Sequence, residues 1–208
     1  MGGRGSSFGG GGSSGGSINV LDETSLVSER EGKPTEVDSV LKVMKDIQDR
    51  YGVNVEDLQV VDIGKSPVMA YYDAGGNLAV NQDYFDSKKM NDAYDRCVQK
   101  GYHPPRGDKS GLESVVAHEM GHRLNHIAGG NDWSKLDSTA DDIVRNACKN
   151  AGYGNKTRQF RSKISGYGSK NSAEAVAEAF ADVYCNGNKA SRESRAIVTE
   201  LNKRLGGK

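Results

Sequence analysis

The chain has 208 residues, enough for one compact domain and a tail but too few for two full-sized domains. Hydrophobic residues make up 35% against 27% charged, a wet composition that still allows a core. The 28 Lys and Arg balance the 28 Asp and Glu, which argues against a nucleic-acid partner for want of excess positive charge, and no apolar run is long enough to span a membrane.

Residues 1–17 are almost wholly glycine and serine, which cost much backbone entropy to order and bury little in return. A disordered tail is expected there, followed by one domain over 18–208. Residues 18–34 carry no pattern. Val37, Val40, Leu41, Met44, Ile47 and Tyr51 then recur at helical spacing, which predicts a helix over 36–51 behind Thr35 as N-cap. The runs 58–64 and 68–73 are rich in β-branched and aromatic residues, and Ala74-Gly75-Gly76 separates the second from 77–81 as a hairpin turn does. A small antiparallel sheet is predicted. A helix near 86–100 ends before Gly101–Gly107, whose two prolines and flanking glycines break regular structure. Helices over about 109–128, 137–151, 172–185 and 190–205, with a glycine-rich loop up to 170, complete an α+β, mainly helical domain.

Cys97, Cys148 and Cys185 are odd in number and widely spaced, which fits reduced, mostly buried thiols better than a disulfide framework or a thiolate metal cluster. No basic segment followed by an apolar run opens the chain, so the expected compartment is the cytoplasm.

The chemistry centres on His118-Glu119-Met120-Gly121-His122. Four residues of helix turn about 400°, so the two imidazoles stand one turn apart on nearly one face and both can reach one ion. Two imidazoles with a neighbouring carboxylate are the donor set that holds zinc and takes a proton from water. Leu112, Val115, Val116, Met120, Leu124 and Ile127 form an apolar stripe with the histidines along its edge. The plainer reading makes His118 and His122 half-buried histidines and Glu119 a solvated charge. His126 extends the series, but a further offset of four brings the drift to about 80°, which predicts a surface position.

A catalytic zinc needs a third protein ligand and one open position. Asn125 and Ala128 stand where a longer histidine motif needs glycine and histidine, which sets the metzincin pattern aside. The segment Ala173–Tyr184 is apolar except for Glu174, Glu178 and Asp182, so it predicts a helix buried on most sides whose carboxylates need partners. One of Glu174 and Glu178 bound to zinc and the other hydrogen-bonded to a ligand imidazole would satisfy both. The alternative is a capping box between Asn171 and Glu174, with Glu178 and Asp182 as a solvated stripe.

Taken together, H-E-x-G-H, some fifty residues, and Tyr-x6-Glu-x3-Glu-Ala-Phe-Ala resemble the gluzincin metallopeptidases, most closely the catalytic domain of the anthrax lethal factor type, over residues 112–185. The resemblance implies a zincin-like fold, zinc held by His118, His122 and Glu174, Glu119 as general base, Tyr167 supporting the oxyanion, and Glu178 behind the ligands. The opening residues and the size also resemble small proteins of phage or prophage gene clusters. The expected function is a zinc-dependent endopeptidase acting on a protein or peptide, whose extended backbone would pair with an edge of the hairpin at 68–81. Tyr167, in a glycine-rich loop, would swing its phenol in. The alternative is a phage-associated structural or interaction protein in which zinc only stabilises the fold.

Overall fold

A computed structural model describes residues 17–19, 34–53, 57–73 and 75–206. The glycine- and serine-rich tail up to residue 16, most of the unpatterned segment (20–33) and Ala74 of the turn lie outside them. Four strands form one sheet: β1 (Ser17–Asn19), β2 (Asp57–Val61), β3 (Ala70–Tyr72) and β4 (Leu78–Asn81), in the spatial order β1-β2-β4-β3. Helices α1 (Pro34–Tyr51), α2 (Ser87–Gln99), α3 (Gly111–Ala128), α4 (Leu136–Asn150), the short α5 (Thr157–Arg161), α6 (Ser172–Asn186) and α7 (Arg192–Arg204) make up most of the rest.

The predicted elements are present, with a short helix, α5, inside the expected glycine-rich loop and three differences in the N-terminal half. The sheet is mixed, not antiparallel: β3 and β4 form the antiparallel hairpin, but β2 pairs parallel with β4, Leu58 opposite Leu78 and Val61 opposite Asn81. All four residues of β4 are buried, and a strand covered on both faces belongs at the centre of a sheet, so the chain crosses over and β4 separates β2 from β3. The short strand β1, antiparallel to β2, lies across the expected boundary between tail and domain. Helix α1 begins at Pro34, which puts Thr35 inside its first turn instead of at its cap.

The hairpin turn closes through Asp73, whose carboxylate accepts from the Asn77 N–H at 3.0 Å, and through Gly76, whose φ of +85° suits glycine. A full capping box starts α3: Ser110 Oγ accepts from Glu113 N–H while the Glu113 carboxylate accepts from Ser110 N–H. Leu112, Val116, Met120 and Leu124 are fully buried, and α3 touches α1, α2, α4, α6, α7 and both strands of the hairpin. Cys148 and Cys185 are buried and Cys97 is half-buried, all three unbridged.

Helices α3 and α6 cross in close contact. A Cβ built at Gly121 would stand 2.7 Å from Ala177 Cα and 3.1 Å from Phe180 Cβ, so the backbones meet there only because residue 121 has no side chain. Backbone atoms of a buried helix do not give way cheaply. Gly121→Ala is expected to destabilise the protein by about 1–3 kcal/mol, read as a lower urea midpoint at unchanged slope.

Candidate functional site

The crossing at Gly121 brings the histidine face of α3 against the first turn of α6. Asn171 caps α6 by accepting from the Glu174 N–H at 2.8 Å, so the cap uses the Glu174 backbone and its carboxylate faces the histidines. Glu174 Oε2 lies 3.3 Å from His118 Nε2 and 3.4 Å from His122 Nε2. These contacts are off-line: Glu174 Oε2 is buried without a hydrogen-bond partner among the described residues. Three donor atoms thus converge with no well-placed hydrogen between them. Glu119, buried beside them, adds a second carboxylate, and one donor atom from each of His118, Glu119 and His122 lies within 4.8 Å of the others. These residues could hold a divalent cation.

Glu178, 1% exposed, sits behind the pair. Its Oε1 is 2.8 Å from His118 Nδ1 in a bent contact and accepts from His103 Nδ1 at 2.9 Å. Its Oε2 accepts from Ser165 Oγ at 2.7 Å, and the same hydroxyl accepts from Gly168 N–H. Asp182, one turn further along α6, is also buried and accepts from Asn186 Nδ2 and the Ser191 N–H. Neither residue forms a solvated stripe.

The electrostatics favour positive charge between the carboxylates. Burial works against a charged His118, but Glu174 and Glu178 outweigh it and lift its pKa well above the imidazole range. Burial likewise opposes the charge on Glu174, which His118 and His122 hold well below the usual carboxylate range. For Glu178 the same opposition is overcome by His103 and His118, to about 2. Burial raises the Glu119 pKa, partly offset by the two histidines and by the Tyr72 N–H reaching its carboxylate.

Tyr167 is in the site, 8% exposed, its ring centroid 5.6 Å from that of His118. Burial, then the charges of Glu174 and Glu119, raise its pKa far above the ordinary value. The loop carrying it is not slack as expected: Gly166 and Tyr167 donate their N–H groups to the carbonyls of Gly101 and Tyr102 at 2.8 and 2.9 Å, and α5 interrupts the stretch before it. His126 is not at the surface. It is 6% exposed, with Nδ1 2.7 Å from Tyr72 Oη, because this flank of α3 packs against Tyr72 of β3 and Trp133. His103 was missed altogether. It is one of four histidines in the chain, but it lies in an irregular loop 75 residues from Glu178, and no periodicity links the two.

A cavity of about 300 Å³ opens over these groups. Its walls are Val68 and the three residues of β3, Trp133 and Ser134, Leu136 and Asp137, Tyr167 and the start of α6, with His118, Glu119 and His122 on its floor. A wider surface depression of about 680 Å³, around Asn155–Gln159, offers neither imidazole nor carboxylate.

The chain matches no protein-family model, and searches of curated proteins and of solved structures found no match. No helix of the described residues is long and apolar enough to cross a membrane.

Ser165→Ala removes a donor from a buried carboxylate and an acceptor from the Gly168 N–H. It is expected to cost about 1–3 kcal/mol, read by thermal melting at neutral pH.

Proposed function

We propose that the protein is a zinc-dependent endopeptidase with a zincin-like fold. The observation that carries this reading is the convergence of Glu174 Oε2 on both Nε2 atoms at 3.3 and 3.4 Å, on the floor of an open cavity. A tetrahedron whose corners lie about 2.0–2.1 Å from its centre has edges of about 3.3–3.4 Å, so this spacing suits zinc held by His118, His122 and Glu174. When bound, zinc supplies Lewis acidity that brings the pKa of a water toward about 7.

The chain's own residues account for the remaining chemistry. Glu119 takes the proton of the attacking water; its burial makes it a stronger base than a solvated carboxylate. Tyr167 keeps its hydroxyl proton and can donate it to the oxyanion, a contribution of about 3 kcal/mol for one positioned donor. β3 is at the sheet's edge, and Ala70, Tyr71 and Tyr72 line the cavity, so an extended peptide can add to that edge through its backbone.

Glu119→Gln is expected to keep zinc near one equivalent by metal analysis while cleavage of an unfolded protein substrate is lost. Persistent cleavage would remove Glu119 from the mechanism. Wild-type protein that binds zinc, melts lower after chelation and cuts nothing would instead be a structural zinc protein. Metal analysis of two further variants assigns the third ligand: Glu174→Ala should lose most of the ion, whereas Glu178→Ala should weaken binding about 10–100-fold. Equal losses would leave Glu174 without its assigned role.

A further inference from the structure

The chain around His103 is built to hold one ring in one place. His103 stacks on Tyr94, with centroids 5.3 Å apart and planes 10° from parallel. Tyr102 and Tyr167 meet it edge-on at 5.1 and 5.4 Å. Tyr94 Oη donates to the Pro104 carbonyl, and the backbone bonds from Gly166 and Tyr167 to Gly101 and Tyr102 tie the loop to the floor of the site. Helix α2 and two loops are thus spent on fixing an imidazole that does not line the cavity.

We propose that His103 is a positioning residue for cation binding, acting through Glu178 on His118. This rests on the reading of His118, His122 and Glu174 as the cation ligands. Oε1 of Glu178 stands between two imidazole nitrogens, His103 Nδ1 at 2.9 Å and His118 Nδ1 at 2.8 Å, while Ser165 Oγ occupies Oε2. A carboxylate that accepts one hydrogen bond on each oxygen, from His103 and from Ser165, is held in orientation. His103 makes the well-formed bond to Oε1 and His118 the bent one, so His103, with Ser165, sets where Oε1 stands and His118 adapts to it. With a cation bound in place of the Nε2 proton, hydrogen on His118 Nδ1 would lie on the Oε1 side of the ring and the Nε2 lone pair would face Glu174 and His122. Without His103, Oε1 retains only the bent contact, the carboxylate is free to turn, and the tautomer and tilt of His118 lose their reference.

The test is zinc affinity of the full chain, measured by competition with a chelating indicator, alongside thermal melting of metal-free protein. His103→Phe keeps a ring against Tyr94 but has no N–H. His103→Asn puts an amide N–H near the position of Nδ1, and His103→Gln puts it near Nε2, out of reach of Oε1. The Phe and Gln variants are expected to bind zinc about 10–100-fold more weakly, with Asn near wild type and the metal-free melting temperatures unrelated to affinity. The Gln and Asn pair keeps the comparison decisive should the Phe variant not fold. Wild-type affinity in Gln, an Asn variant as weak as Gln, or losses that simply follow melting temperature would overturn the proposal. If wild-type protein binds no zinc, the metallopeptidase reading fails, and this inference with it. Failure of the variants alone leaves that reading standing.

Discussion

The site depends on the backbone contact between α3 and α6 at Gly121. A Cβ at residue 121 would stand 2.7 Å from Ala177 Cα, so the helices would have to part there and carry Glu174 away from His118 and His122. With only a hydrogen at residue 121, the Ala177 backbone comes to within contact distance, and the first turn of α6 delivers Glu174 to the histidine face. The glycine of the motif is therefore part of the site's geometry, though it touches no reacting atom. The alanines on either side of Glu174 and Glu178 serve the same end, since Ala173, Ala175, Ala177 and Ala179 are all buried and none is bulky enough to push the helices apart.

Such closeness forces carboxylates into the interior, where an unpaired charge is costly. Glu178 and Asp182 are handled alike: each oxygen has its own donor, drawn from imidazole, hydroxyl, amide or backbone N–H. Glu174 is different. Its Oε2 faces the two histidines without a hydrogen bond, which makes it the one carboxylate of α6 whose environment asks for a further positive partner. The contrast along one helix, two satisfied acids and one held open, separates the residues that support the site from the residue at its mouth.

The sheet makes a second boundary. Because β4 takes the centre, β3 is left at the edge, and its residues Tyr71 and Tyr72 form a wall of the cavity. Tyr72 also braces α3: its hydroxyl is shared between His126 Nδ1 and Arg123 Nη1, and its ring packs on Trp133, which also lines the cavity. Strand edge, motif helix and the segment after it are thus fastened to one another beside the cavity.

Local pattern determined a good deal. Apolar residues at helical spacing place α1, α3 and α6 within a residue or two, because hydrophobic periodicity acts over a few residues. The spacing of His118 and His122 dictates their shared face for the same reason. Tertiary structure decided what depends on distant partners: that β2 runs parallel to β4, that His126 is buried against β3, that the Tyr167 loop is tied to Gly101 and Tyr102, and that His103 meets Glu178. Each of these joins segments with no shared period, so the chain has to close on itself before the pairing exists.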